Sequence, residues 1–480
     1  MRYSQRAAIA VLFRALILPM AGGACFGEDF SVQPLTADEL QAVDSIQQGS
    51  VTATVGFLAS DEMAGRNTPS TELNIAAAYV AARFRGAGLE GPGSDLSFFQ
   101  STSIEQVSPA KSGLSVNVDG TRIADCHVLM GLRDPVEISG AIENANSARA
   151  DQKFAGPVWL SDSPLPPQVL SNPGGAVVAW SRKIREIAKQ GATLVIVPIG
   201  SDSPLHEIAR RLSETPITLP QQFAFACPVV IVPAGTELEN KTVSVTVPAN
   251  RIISTPVHNV IGILKGSDPE LSKQAIIISA HLDHIGTRDG GEDTINNGAD
   301  DNATGVTAVV SLADAYSKLS NRPKRTVIFM TFWGEEKGLL GSKYYAQNPI
   351  WPLDQTIANV NIEMIGRPEE NAEGKAWGTG WTRSTLCDLV AAGAKRAEVD
   401  VFHREDVSEM LYARSDNYSF VNAGVIAHSF SAGSLHADYH QPSDEVSRLN
   451  LPHMTKIIRG LMAGTLPLAT GEATPIATKN

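Results

Sequence analysis

Three near-continuous apolar runs constrain the fold of this chain most strongly. They occupy residues 275–280 (AIIISA), 326–333 (TVIFMTFW) and 357–365, and each has the length of one strand. Such runs are typical of parallel strands that helices cover on both faces, because neither face then meets water. Amphipathic helical patterns alternate with the runs. The sequence therefore predicts an α/β fold: a three-layer α/β/α sandwich with a mostly parallel central sheet.

Residues of the types that bind metals follow these runs or lie in short loops. Candidate ligands are His281, Asp301, Glu336, Glu363 and His440. Open α/β sheets bind their ligands at the carboxyl ends of the strands, where three of these residues fall. Two imidazoles and three carboxylates can hold two divalent cations about 3.5–4 Å apart, provided that one carboxylate bridges them. The pattern indicates a two-metal hydrolase.

Two pairs of neighbouring residues suggest how such a site works. His281 and Asp283 are two apart and share a face in extended chain, so Asp283 is expected to accept the second ring N–H of His281. Glu335 and Glu336 are adjacent and cannot point the same way. One of them can bind a metal while the other takes a proton from a metal-bound water, whose pKa falls towards ~7.

Five contexts carry a resemblance to a known family: AHLDH (280–284), NGADDNATG (297–305), FWGEEKGLLGS (332–342), NIEMIG (361–366) and DYHQPSDE (438–445). Together, and in this order, they resemble the zinc aminopeptidase and glutamate carboxypeptidase-like family, peptidase family M28. The resemblance covers roughly 250–465. It extends more weakly to 50–90, where LASDEMAGRNTPS is similar to the opening of that family.

The resemblance implies a role for each candidate residue. One zinc would be held by His281 and Glu363 and the other by Glu336 and His440, with Asp301 as the bridge between two zinc ions per chain. Glu335 would be the general base, Asp283 the orienting carboxylate, and Tyr412 a phenol that polarises the scissile carbonyl. Asp301 is selected over Asp300 because the bridging aspartate of the family lies four residues before the glycine of its motif.

Two residues depart from the family pattern, and two further histidines lie beside it. Glu363 stands where many members have Asp, and Asn417 stands where relatives often have His, so Asn417 is given no role. His284 is expected to line the pocket, since its ligation would require His281 to yield its place. His436 is expected to be a rim residue.

The 480 residues exceed one typical hydrophobic core and predict two domains. Residues 36–119 and 251–470 would form the peptidase domain. The sequence pattern of residues 120–250 predicts short strands (127–131, 157–161, 176–180, 193–200 and 228–233) and one helix at about 181–190. This stretch resembles an inserted protease-associated domain. Because it contains no cluster of metal-type residues, we expect it to restrict or orient the substrate.

The amino terminus and the charge bear on location and partners. Residues 1–24 combine Arg2 and Arg6 with an apolar stretch and a small-residue end, as in a secretory signal peptide, so we expect a periplasmic or secreted protein. Their removal would change the formal net charge from −12 to −15, because three arginines and no acid are lost. Such acidity disfavours nucleic acid as a partner. No later run has the ~20 apolar residues of a membrane span.

Cysteine usage and oligomeric state are left open by the sequence. Cys126 and Cys227 could form a disulfide or remain buried thiols, and Cys25 falls at the predicted cleavage point. The wide spacing of the cysteines excludes a zinc finger.

The function that follows from the resemblance is a zinc-dependent exopeptidase acting on peptide substrates, most simply an aminopeptidase. Three alternatives stand beside it. A glutaminyl cyclase-like acyltransferase uses a related site with one zinc. A carboxypeptidase acting on acidic peptides would favour arginines at the pocket, and Arg367 and Arg414 keep it open. A non-catalytic receptor on the same fold would lack metal ligands that this chain retains.

Overall fold

The computed structural model describes residues 32–93, 97–110, 112–161, 173–200, 217–218, 227–433 and 435–478. The predicted signal peptide and Cys25 lie outside the described residues. The helices are α1 Ala37–Asp44, α2 Gln48–Leu58, α3 Thr71–Gly86, α4 Pro173–Lys189, α5 Gly305–Ser317, α6 Leu340–Gln347, α7 Leu386–Ala394, α8 Ser408–Leu411, α9 Asn417–Asn422 and α10 Leu451–Thr470. The strands are β1 Phe99–Ser108, β2 Ser115–Val118, β3 Thr121–Ile123, β4 His127–Met130, β5 Val136–Ala141, β6 Glu143–Asn144, β7 Pro157–Trp159, β8 Leu194–Ile199, β9 Ile217–Thr218, β10 Val229–Pro233, β11 Thr242–Val247, β12 Arg251–Leu264, β13 Ala275–His281, β14 Thr326–Phe332, β15 Thr356–Ile362, β16 Lys375–Gly378, β17 Asp400–Phe402 and β18 Ala427–Ser431.

A nine-stranded sheet with the order β17-β16-β18-β15-β13-β14-β12-β1-β9 organises the larger part of the chain. Its four central strands, β18, β15, β13 and β14, are parallel. On one side β12, β1 and β9 extend the sheet antiparallel, and on the other β16 pairs antiparallel with β18 and parallel with β17. The predicted α/β class with a large, mostly parallel central sheet is confirmed.

Alternate residues of the central strands pack on opposite faces of this sheet. Ile276 and Ile278 of β13 belong to a cluster with α1, α2, α3, α5, α7 and α10. Ile277 of β13 belongs to a second cluster, which contains Tyr345 of α6 and Phe420 of α9. All residues of β13 and β14 are buried, and each large apolar side chain contributes about 1.5–3 kcal/mol by leaving water. Helices therefore cover both faces, as the continuous apolar runs require.

Most of the segment between β1 and β12 forms two further sheets. One has the order β4-β10-β8-β7-β6 and the other β3-β2-β11-β5. Their buried apolar side chains form two clusters that contain residues of this segment alone. The separate β-rich region therefore begins with β2 at Ser115, before the predicted boundary at residue 120.

The structure differs from the sequence-based prediction at two places in this segment. Residues 176–180, predicted as a strand, lie in helix α4, which begins at Pro173. A short apolar run is compatible with either structure, and here it continues into the pattern that buries Ile184 and Ile187, three residues apart. In addition, β9 pairs with Glu105 and Gln106 of β1 and so belongs to the edge of the nine-stranded sheet.

Among the described residues, no helix has both the length and the apolar character that crossing a membrane requires.

Candidate metal centre

The register of three central strands brings ligand-type side chains to one edge of the sheet. β13 pairs with β14 and β15 on its two sides, and all three strands run in the same direction. His281 is the last residue of β13, and Glu363 directly follows β15. After β14 the chain turns at Gly334, whose φ of +68° favours glycine, and delivers Glu335 and Glu336 to the same edge.

His281, Asp301 and Glu363 form a first ligand group. The His281 Nε2 atom lies 3.2 Å from Asp301 Oδ1 and 3.2 Å from Glu363 Oε2. The other carboxylate oxygen of Glu363 accepts hydrogen bonds from Asn361, at 3.0 Å, and from the Ser415 hydroxyl. Glu363 thus has one oxygen held by the protein and one directed at His281. The Glu side chain, although longer than that of Asp, therefore still presents an oxygen to the first ligand group.

Glu336, His440, Asp301 and His284 form a second ligand group. His440 Nε2 lies 3.1 Å from Asp301 Oδ2 and 3.2 Å from Glu336 Oε1. His284 is fully buried, and its Nδ1 atom lies 3.0 Å from the same Glu336 oxygen. The structure therefore places His284 on the Glu336 side. A ligand role for His284 would therefore not require His281 to yield its place.

Asp301 is common to both groups and presents a different oxygen to each. Its backbone N–H donates to the buried Asp444 carboxylate at 3.1 Å, which holds the turn. The neighbouring Asp300 carboxylate points elsewhere: it accepts from Gly366 N at 2.7 Å and faces His436 Nε2 at 3.2 Å. His436 is therefore a half-buried link to Asp300 and not a simple rim residue. This arrangement suits Asp301, and not Asp300, as the bridge.

The donor atoms of the two groups fit divalent cations. Asp301 Oδ2 and His440 Nε2 are buried and lie 3.1 Å apart, and neither forms a hydrogen bond of normal geometry among the described residues. Such unpaired polar atoms are costly unless another group satisfies them. Imidazole nitrogens and carboxylate oxygens are the donors that zinc accepts. All five predicted ligands are brought together, and two cations sharing Asp301 would satisfy them.

Asp283 lies at the centre but contacts other groups than the predicted one. The His281 Nδ1 atom is 3.0 Å from the Asp283 backbone carbonyl, whereas the Asp283 carboxylate is 3.9 Å away. That carboxylate accepts from the Thr68 hydroxyl and from the Glu335 backbone N–H, each at 3.0 Å. The orienting role expected of Asp283 is therefore directed at Glu335, because the turn after β14 passes over it.

Glu335 lines a cavity together with His281, Asp301 and Glu363. The cavity, together with the open space at its mouth, measures about 690 Å³. Burial and the nearby charges of Asp416 and Glu363 raise the pKa of Glu335 well above its ordinary value. Divalent cations would oppose this shift, since positive charge favours the carboxylate. With these opposing effects on its pKa, the Glu335 carboxylate is suited to accepting and releasing a proton.

Tyr412 does not reach this cavity. It is buried and packs against His428, with ring centroids 5.5 Å apart, while the Arg383 guanidinium covers its ring at 4.8 Å. The cavity wall instead contains Tyr439, which stacks on His440 with a centroid separation of 3.9 Å. The position of Tyr412 does not support its predicted role. Tyr439 was overlooked although it directly precedes a predicted ligand.

Arg66 is a second residue that the sequence did not reveal as part of the site. Its buried guanidinium donates to the carbonyls of Leu282, Asn297 and Gly298 at 2.9–3.0 Å. The first of these carbonyls directly follows His281, and the other two belong to the segment that leads to Asp301. Burial lowers the pKa of Arg66 to about 10, so the group still carries a positive charge behind the acidic cluster at neutral pH. The available signal was its place in the 50–90 stretch that resembles the family.

The cysteines and Asn417 have structural surroundings. Cys126 and Cys227 are free thiols, and burial raises the pKa of each to about 11. Asn417 is buried, donates to the Tyr412 carbonyl and accepts from the Ser429 hydroxyl, both at 2.9 Å. Asn417 supports the wall behind the cavity.

Part of this chain is similar in sequence to known proteins. Leupeptin-inactivating enzyme 1 of Streptomyces exfoliatus is 32% identical over 112 residues, which are 23% of this chain and 23% of that protein. A probable zinc metalloprotease of Pyricularia oryzae is 34% identical over 116 residues, 24% of this chain and 21% of that protein. The chain thus matches less than a quarter of the length of these curated relatives.

The overall architecture also has a counterpart. The solved structure of an aminopeptidase from Aneurinibacillus sp. strain AM-1 superposes with a TM-score of 0.52 at 20% identity, covering 90% of this chain and 96% of that one. At this identity the likeness concerns the fold. Residues 259–464, which supply all five predicted metal ligands, match the sequence model of Peptidase family M28.

Proposed function

We propose that this protein is a two-zinc aminopeptidase that hydrolyses the N-terminal peptide bonds of peptides. One observation carries the proposal: two ligand groups share Asp301, and three of their residues line the same cavity as Glu335. The zinc-peptidase character of the relatives and the fold of a solved aminopeptidase support it.

Two metal positions follow from the ligand groups. His281 and Glu363 would hold one ion, Glu336 and His440 the other, and Asp301 would bind both. When bound, such ions polarise a carbonyl and lower the pKa of water, which supplies a nucleophile at neutral pH.

The residues of the chain supply proton transfer and orientation. Glu335 accepts the proton of the attacking water and returns it to the leaving amine. The Asp283 carboxylate fixes the backbone of Glu335 through its hydrogen bond to the Glu335 N–H. Tyr439, on the cavity wall, donates its phenolic hydrogen to the carbonyl oxygen as that oxygen gains negative charge.

Metal analysis combined with a substrate panel tests this proposal. The purified protein should contain two zinc ions per chain and cleave aminoacyl nitroanilides and free peptides, while N-acetylated forms resist cleavage. Full activity with one ion, together with release of ammonia from N-terminal glutamine, would support the cyclase-like alternative. Cleavage of N-acetylated peptides from their carboxyl end would identify a carboxypeptidase.

We further propose that the protein is exported and that the two-sheet segment between β1 and β12 is a protease-associated domain. The amino-terminal pattern and the β-rich texture of the segment support these two points. N-terminal sequencing of the protein recovered outside the cytoplasm tests export, and an intact residue 1 in that material would contradict it.

A further inference from the structure

Arg414 is a cation on the wall of the candidate active-site cavity, and its side chain has no partner among the described residues. The cavity has three carboxylates, from Asp301, Glu335 and Glu363, and Arg414 is the single arginine or lysine among the described residues that line it. Arg414 is exposed, and its guanidinium forms no ion pair or hydrogen bond within the part of the chain that the structure describes.

The neighbouring arginines differ from Arg414 in this respect. Arg367 pairs with Asp438 at 2.6 Å, Arg383 with Glu409 at 2.8 Å, and Arg404 with Glu369 at 2.8 Å. Each of these guanidiniums already has a carboxylate of the protein. This pairing removes Arg367 as a substrate-binding group and leaves Arg414 as the guanidinium that is available to a ligand.

A guanidinium recognises a carboxylate through two parallel N–H···O bonds, which gives both affinity and orientation. Elsewhere in the cavity a substrate carboxylate would face Asp301, Glu335 and Glu363 and be repelled, unless it displaced water from the metals. The charges of the cavity therefore orient a peptide. Its amine is drawn towards the acidic floor and its carboxylate towards Arg414.

Arg414 shares the cavity wall with apolar side chains and with the hydroxyl groups of Thr379, Ser415, Ser429 and Ser431. Met364, Trp377, Leu411 and Leu435 line the cavity with it, so an apolar side chain can occupy the same space. We propose that Arg414 binds a carboxylate of the substrate, which makes short peptides with a nearby α-carboxylate, or peptides with an acidic residue beside the cleaved bond, the preferred substrates. This inference rests on the proposed function and specifies its substrate class.

Matched peptide pairs test the inference and separate the two sources of the carboxylate. Leu-Leu against Leu-Leu-amide isolates the α-carboxylate, and Leu-Asp-amide against Leu-Asn-amide isolates the side chain. In at least one pair the acid should exceed its neutral partner about tenfold in kcat/KM, the scale of one charge-assisted hydrogen bond. Arg414→Gln should abolish that preference and leave kcat/KM for leucine nitroanilide within about twofold.

Two further variants test whether the acid preference depends on the positive charge at position 414. Arg322→Gln removes one exposed positive charge elsewhere on the surface and should retain the preference. Arg414→Glu should reverse the preference, so that the neutral peptide of the responsive pair becomes the better substrate. Equal kcat/KM values within both pairs for the unmodified protein, or a preference that persists in Arg414→Gln, would overturn the inference.

Binding measurements distinguish failure of this inference from failure of the proposed function. Titration calorimetry on zinc-loaded Glu335→Gln protein, with and without Arg414→Gln, uses the same four peptides without turnover. A peptidase that is inactive on every substrate, yet binds the acid about tenfold more tightly through Arg414, would refute the function and retain the carboxylate site. Cleavage without any preference for the acid in binding or kcat/KM would retain the proposed function and refute the carboxylate site.

Discussion

The two ligand groups of the candidate centre are built in different ways. His281 ends a central strand and Glu363 directly follows another, and the His281 side chain is 2% exposed. The second group depends on the turn after β14 and on the loop after β18, where His440 has a φ of +57° and its side chain is 32% exposed. Strand register therefore determines the first group, whereas packing of loops determines the second.

Because of this difference, we expect the two ligand groups to contribute differently to chemistry and to metal retention. The first lies in the cavity beside Glu335, so a cation there is next to the candidate base. The second contains His284 as an additional buried nitrogen and adjoins Tyr439 through His440. The comparison predicts that chemistry depends most on the first group, while metal retention depends most on the supports of the second.

The largest expected effect comes from Glu335, which separates chemistry from metal binding. Glu335→Gln keeps the size of the side chain and removes the proton acceptor, so kcat should fall at least ~100-fold with both metals retained. The adjacent change, Glu336→Gln, should instead weaken one metal of the second group. Metal content and kcat of the two variants check this. If Glu335→Gln loses a metal and Glu336→Gln keeps both, the two roles are exchanged.

A smaller effect is expected from His284, which contacts Glu336 without being one of the predicted ligands. His284→Gln should weaken metal binding at the second group by about 10–100-fold, the usual cost of losing a residue that orients a ligand. Competition with a zinc chelator measures it. His258→Gln is the matched control, because His258 lies on β12 and hydrogen-bonds to Ser101 of β1, outside both ligand groups. Unchanged affinity in His284→Gln would remove His284 from the centre.

Removal of His284 also tests why residue 298 is glycine. A Cβ atom on Gly298 would lie 2.4 Å from the Asp301 backbone oxygen and 2.5 Å from the His284 ring, and φ at this position is +59°. Gly298→Ala should therefore weaken the second metal in the same direction as His284→Gln. Metal titration of the double variant should show less than the sum of the two losses, since His284→Gln removes the ring that the Cβ atom meets while the contact with Asp301 remains.

Partial metal removal shows directly which of the two ligand groups holds its metal ion more tightly. Because His440 is more exposed than His281, a chelator should first produce a species with one ion per chain, held by His281 and Glu363. Elemental analysis during dialysis follows this, and His440→Ala protein should match that species. Simultaneous loss of both ions would show that Asp301 couples the groups more strongly than their exposure separates them.

The smallest effect on chemistry is expected from the segment between β1 and β12. Ser108 and Arg251 are directly paired, so an Asn-Gly turn can replace residues 109–250 and join the strands as a hairpin. Without the segment, kcat/KM for aminoacyl nitroanilides should change by less than about threefold, and longer peptides should be cleaved faster. Unchanged discrimination by peptide length would contradict a restricting role for the segment.

What the sequence alone could predict was local in character. The continuous apolar runs predicted the central strands and helices on both faces, because a strand buried on both sides has no polar alternation. The five ligand-type residues were recognisable for a similar reason: each lies at a strand end or in a short loop of distinctive composition. The structure brings all five side chains together at one edge of the sheet.

What only the tertiary structure decided was the direction of individual side chains and the path of loops. The Asp283 carboxylate meets the Glu335 N–H because the turn after β14 passes over it, which spacing within 281–283 does not reveal. Tyr439, not Tyr412, lines the cavity because the loop after β18 places it against His440 of the second ligand group. Helix α4 replaced a predicted strand because five apolar residues suit either structure. Composition along the chain specifies which elements form, whereas contacts between distant segments determine which groups meet.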